Sequence, residues 1–294
     1  MKRRALMSLA LGALPLVTTR WAAASERIGV LFLHGKNPGG PQSPQYAPVV
    51  AAMEKQGWLV ALPDMPWSRN RYLQGHWDGA MAEIAQHVKS LQDKGATRIV
   101  LMGHSMGVPA AMSHAARGGT AHALVLLAPG HVPRGYFTSP QLAPVRESIE
   151  AARAQVAAGK GDESQRFTDI NQGRQQPVIT TARNFLSFFD PESDADMGVT
   201  APKLPASLPV LTAIGQNDPL FSRVRSYYVD QLPKHPKTQL LEVSGGHLDT
   251  PQVALAQVLE WVPQAVGGGG APRYNPPGRN ADHRRGGGRG APPA

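Results

Sequence analysis

Six short apolar runs punctuate the chain: RIGVLFLHG (27–35), WLVALPD (58–64), RIVLMG (98–103), ALVLLAPG (123–130), PVLTAIGQ (209–216) and TQLLEVSG (238–245). Unbroken Val, Leu and Ile with no alternating polar positions mark strands covered on both faces. The stretches between them carry helical signals. One helix is expected near 45–56 and another from Ser105 to about Ala116. Met81, Ile84, Val88 and Leu91 recur at helical spacing in a segment that ends at Gly95. The last helix has Pro251 at its first position behind Thr250, with Leu255, Val258, Leu259 and Val262 on one face. Strand–helix alternation of this kind predicts an α/β fold, a mainly parallel six-stranded sheet with helices on both faces. The chain carries no internal repeat.

One connection breaks the rhythm. Residues 131–208 separate the fourth and fifth runs, too long for a plain loop. Helical stretches around 141–158 and 177–189 predict a helical cap inserted between two halves of the core, 25–130 and 209–265. Of the seven phenylalanines in the chain, Phe185, Phe188 and Phe189 fall in NFLSFF (184–189). Helical spacing puts these three on one face, where they either dock the insertion on the core or line an apolar substrate pocket.

The ends differ from the body. Residues 1–24 hold a basic head, an apolar stretch from Ala5 to Val17 and an Ala22-x-Ala24 step, the layout of an export signal cut after Ala24. Adjacent Arg3 and Arg4 make it resemble the twin-arginine type, and a general secretory signal fits the layout equally. The apolar stretch is short for a membrane span, so none is expected after cleavage, and a bacterial source would place the protein in the periplasm or outside the cell. Residues 266–294 are rich in Gly, Pro and Arg and poor in apolar side chains, a composition expected to stay disordered. Of the formal charge of +9, each end carries +4, leaving +1 on the body. A nearly neutral body argues against nucleic acid as a partner, while the basic tail allows weak contact with an anionic surface. The absence of cysteine excludes disulfides, a thiolate nucleophile and cysteine-ligated zinc.

The third run continues into GHSMG, which sets Ser105 between Gly103 and Gly107 at the end of an expected strand and the start of an expected helix. Gly-x-Ser-x-Gly in that setting is the pattern of a nucleophile elbow, and there the chain resembles the α/β-hydrolase family, in its serine esterase and lipase-like form. The resemblance runs from about Arg27 to Pro263. A serine hydroxyl needs a base to take its proton and an acid to orient that base. In this family they follow in the order serine, acid, histidine. Asp218 stands just after the fifth run, and His247 just after the sixth. Of the ten histidines only His247 combines that order with that position. Asp249 is a rival acid two residues from His247, and Asp64 reads as structural.

The resemblance also implies two backbone donors for an oxyanion, the N–H of Met106 and that of Lys36 in the loop FLHGKNPGG. His34 would brace this loop and His104 would be a neighbour of the site, both of them pocket candidates. The Lys36 side chain reads as solvated, or else as a partner for a substrate carboxylate. The two edge strands that usually precede this point in the family are missing, which implies a minimal six-stranded sheet. Trp67, Tyr72 and Trp77 either shape the acyl site or form a core edge. The function implied is cleavage of a small-molecule carboxylic ester through an acyl-enzyme, with no cofactor and no metal. The same triad serves thioesters, lactones, amides and perhydrolysis, and a binding protein of this fold without turnover is the remaining reading.

Overall fold

The computed structural model of the protein describes residues 26–36, 40–171 and 173–267. The expected export signal lies outside the described residues, as does the expected tail from residue 268 onward.

Six strands form one parallel sheet: β1 (Ile28–Leu33), β2 (Leu59–Ala61), β3 (Arg98–Ser105), β4 (Ala123–Pro129), and, after the insertion, β7 (Val210–Gly215) and β8 (Gln239–Val243). Their spatial order is β2-β1-β3-β4-β7-β8, with every neighbouring pair parallel. All four helices expected around the core are present: α1 (Ala47–Lys55), α2 (Trp77–Asp93), α3 (Gly107–Ala116) and, at the C-terminal side, α9 (Thr250–Val253) with α10 (Leu255–Val266). The last two replace the single helix expected there, with Ala254 between them.

The central strands β1, β3, β4 and β7 are buried on both faces, their side chains alternating between two cores, whereas the edge strands β2 and β8 are only partly covered. On β3, Val100 and Met102 point into a core shared with Val49 and Met53 of α1 and Val258 and Val262 of α10. Ile99 and Leu101 point the other way, toward Ile84 and Val88 of α2 and the residues of α3. A sheet covered on both sides has no solvent face to decorate, so its function gathers at the carboxyl ends of the strands.

The insertion departs from the expected helical cap. It holds α4 (Pro133–Thr138), α5 (Ala143–Ala157), α6 (Ala182–Phe189) and α7 (Met197–Thr200), but also an antiparallel pair, β5 (Ser164–Asn171) and β6 (Arg174–Thr181). A short helix, α8 (Val224–Tyr227), follows β7. The helix expected over 177–189 therefore begins only at Ala182. Val178, Ile179, Thr180 and Thr181 are all β-branched and favour an extended backbone. Burial alternates along them, with Val178 and Thr180 buried and Ile179 exposed. Thr181 then stops the strand by capping α6, accepting from the Asn184 N–H at 3.2 Å.

Phe185, Phe188 and Phe189 are fully buried. Phe167 of β5 stacks on Phe185, and Phe185 on Phe189, with centroids 4.6 and 4.5 Å apart. Phe188 meets Trp77 of α2 edge-on at 4.9 Å. The trio is the seam between insertion and core. Trp67 and Trp77 are likewise core residues, donating to the His34 carbonyl and the Ser113 hydroxyl. Among the described residues no helix is long and apolar enough to cross a membrane.

Candidate active site

The turn from β3 into α3 is possible only with glycine on either side of Ser105. A β-carbon on Gly103 would overlap the carbonyl of Gly107, and one on Gly107 would overlap the carbonyl of Leu33. Ser105 itself sits at φ +55°, a left-handed conformation that costs a non-glycine residue about 1 kcal/mol or more. The strain turns its hydroxyl out of the sheet edge. The β3–β4 register slips between His104 and Ser105, which pairs Ser105 with Pro129 and brings Gly130 alongside. A β-carbon on Gly130 would lie 2.7 Å from Ser105 Oγ, so only glycine leaves room for a reacting group there.

The structure brings three of the expected residues together across the chain. Ser105 Oγ donates to His247 Nε2 at 2.9 Å, and His247 Nδ1 donates to Asp218 Oδ2 at 2.6 Å. Asp218 stands on the turn after β7, where its Oδ1 accepts from the Leu220 N–H at 2.8 Å. Its side chain is 1% exposed and that of His247 22%, so the acid is sealed while the base faces the opening. Asp249 does not join them; it accepts from the Gly246 N–H at 2.9 Å and shapes its own turn.

The loop after β1 is held from beneath. His34 Nδ1 donates to the Gly35 carbonyl at 2.7 Å, and its Nε2 accepts from the Met65 N–H at 3.0 Å. Burial lowers the His34 pKa against the opposing pull of the Gly35 bond and of Asp64, so the ring stays neutral with both nitrogens engaged. Asp64 is half-exposed, its carboxylate 4.0 Å from His34. Gly35 approaches the elbow closely: a β-carbon on it would sit 3.3 Å from Ser105 Cβ. The backbone of Met106 opens α3 directly behind Ser105.

Lys36 overturns the expectation of a solvated side chain. Its ammonium is buried and bonds both carboxylate oxygens of Asp169 on β5, each at 2.9 Å. Tyr72 and Gln176 also donate to Asp169, at 2.7 and 3.0 Å. The rings of Tyr72, Tyr136 and Phe189 surround the ammonium at 5.7–5.9 Å. Desolvation works against both charges, yet each holds the other charged: the Lys36 pKa ends above its ordinary value and that of Asp169 below. The reason for the burial is that the insertion closes over Lys36 and supplies the counter-charge, which a local reading of FLHGKNPGG does not contain.

Two further residues escaped the sequence reading. Tyr46, in the turn before α1, is fully buried against His104. His131, after Gly130, has a positive φ of 62° and donates from Nε2 to the Phe188 carbonyl at 2.6 Å, while its buried Nδ1 has no partner. Neither lies in a recognisable motif. The one available signal was the glycine at 130, whose need for close approach implied a neighbour worth locating. Among the described residues no group of three or more His, Asp or Glu is arranged to hold a metal.

A doubly covered parallel sheet with a strained serine on a strand-to-helix turn, hydrogen-bonded to a histidine and an aspartate from later strand ends, defines the class of α/β hydrolases. The family profile described as the alpha/beta hydrolase family matches residues 30–258, and the chain belongs to that family. No curated protein sequence matches the chain. Among solved structures it is similar to a monoacylglycerol lipase from Paleococcus ferrophilus, at 18% identity and a TM-score of 0.58, covering 81% of this chain and 94% of that one. It is also similar to Est1E from Butyrivibrio proteoclasticus with ferulic acid bound, at 17% identity and a TM-score of 0.57, covering 82% and 90%. A structure of metagenome-derived lipolytic enzymes described as LipS and LipT gives 17% identity and a TM-score of 0.56, covering 81% and 94%. At these identities the likeness is one of fold.

Proposed function

We propose that the protein is a serine hydrolase of carboxylic esters. The observation that carries this reading is the continuous Ser105–His247–Asp218 hydrogen-bond chain built on a serine at φ +55°. His247 Nε2 accepts the proton of Ser105 as Oγ attacks the acyl carbon. The imidazolium so formed is held by Asp218 through Nδ1, and it returns the proton to the departing alkoxide. The acyl-serine is then opened by water, which His247 deprotonates in turn. The backbone N–H groups of Met106 and Lys36 receive the negative charge on the tetrahedral oxygen. Serine as nucleophile makes acyl transfer, rather than attack by a carboxylate on a carbon–halogen or epoxide bond, the chemistry of this site. The export signal expected in residues 1–24 would put the activity outside the cytoplasm, which fractionation of an expressing bacterial cell tests.

Turnover of p-nitrophenyl acetate and butyrate by wild type and Ser105→Ala tests the mechanism. The variant should lose on the order of 10³-fold or more in kcat. Equal rates would end the proposal.

A further inference from the structure

Two arms of the site meet beneath Ser105 in a hydrogen-bond chain whose direction is fixed at every link. The Gly35 N–H can only donate, and it donates to the Tyr46 hydroxyl at 2.9 Å. The same hydroxyl lies 2.7 Å from His104 Nδ1. The carbonyl oxygen of His247 can only accept, so the single proton of a neutral His104 sits on Nε2, which donates to it at 2.9 Å, and Nδ1 accepts from Tyr46. The chain thus runs from the loop after β1, through the residue preceding Ser105, to the backbone of the histidine that bonds Ser105. Both side chains in it are buried.

The geometry points to Tyr46 and His104 as positioning residues that set the oxyanion loop and His247 at a fixed separation about Ser105. This inference rests on the hydrolase reading above. Tyr46 supplies the donor for His104 Nδ1. Without its hydroxyl, the buried His104 Nδ1 loses its donor and the link between the loop after β1 and the His247 backbone is broken. Titration does not disturb the chain in ordinary conditions. Burial, helped by the proximity of His247, lowers the His104 pKa to about 3, and burial raises that of Tyr46 to about 12. The charged groups facing His104 are His247 and, beyond it, Asp218 and His34.

Tyr46→Phe removes one oxygen and keeps the ring packed edge-on against Phe32 and His104. With p-nitrophenyl butyrate, and with active sites counted by fluorophosphonate labelling, kcat should fall about 10- to 100-fold while KM stays within about twofold. His104→Phe should fall by a similar factor, and the double variant by no more than the worse single one, since both break one chain. His104→Gln, whose amide reaches toward the Nε2 position, should retain more activity than His104→Phe. Imidazole nitrogen NMR should show His104 as the Nε2–H tautomer in wild type, with the Nδ1 resonance shifted in Tyr46→Phe by the loss of its hydrogen bond. A purely structural role would lower Tm but leave kcat per labelled site unchanged, and that result overturns the inference. So would losses that multiply in the double variant. Ser105→Ala separates the two claims: full activity there removes the hydrolase reading itself, whereas an inactive Ser105→Ala beside a wild-type-like Tyr46→Phe removes only the positioning role.

Discussion

Asp218 and Asp169 are both sealed carboxylates, at 1% and 0% side-chain exposure, each bonded to a cationic or proton-bearing partner near Ser105. Their partners make them opposites. Asp218 holds an imidazole that is 22% exposed and reaches Ser105, a base able to take and return a proton. Asp169 holds an ammonium that is 6% exposed, enclosed by three aromatic rings and barred from neutrality by the charge beside it. Under the proposed mechanism the first pair exchanges a proton with Ser105. The second is built not to: it ties the loop after β1 to the insertion. A buried carboxylate is therefore no guide to chemistry until its partner's freedom to titrate is known.

The contrast can be broken at its strongest point by Asp218→Asn. The amide cannot stabilise the imidazolium and favours the wrong His247 tautomer, so kcat should drop about 10⁴-fold with little change in folding. A loss of only a few-fold would place Asp218 with the structural carboxylates. Asp169→Asn should do the reverse, acting first on stability. It strands a buried ammonium, at a cost of about 3–5 kcal/mol in urea unfolding. The apolar pair Lys36→Met/Asp169→Leu should recover most of that loss, because a matched buried pair contributes little net stability. If the double variant is as unstable as the single one, the pair is more than a compensated charge.

A further effect sharpens the same contrast through pH. Burial, and then the Lys36 charge, lower the His131 pKa to about 3. The unfolded chain binds this proton near pH 6.5 and the folded protein does not. Stability supplied by the neutral ring is therefore complete above about pH 6.5 and is lost as pH falls toward 3. The slope is about 1.4 kcal/mol per pH unit. His131→Phe should remove that slope from the acid side of a stability profile. The Lys36–Asp169 pair should add none between the ordinary carboxylate and ammonium ranges, since its shifts move the two titrations outward.

The core of the molecule was legible because its signals are local. Each strand announces itself by an apolar run, and the β3–α3 turn by Gly103 and Gly107. The serine, aspartate and histidine that meet in space are each visible as a polar residue just beyond such a run. The insertion was less legible. Residues 174–181 carry β-branched side chains beside a strongly amphipathic helical stretch, and the helical period of the phenylalanines masked the strand before it. Lys36 was misjudged for a different reason: its counter-ion lies 133 residues away, in that same insertion.

By itself, then, the amino-acid order determined which segments must be covered on both faces and which side chains stand at their ends, since burial of apolar runs leaves a parallel sheet few alternatives. Tertiary structure alone decided what those ends touch. Tyr46 and His104 are 58 residues apart and His104 and His247 are 143 apart, and no periodicity spans such distances. Whether a buried charge is held, shared or free to move depends on the groups that folding brings around it, because desolvation and Coulomb attraction act through space and not along the chain.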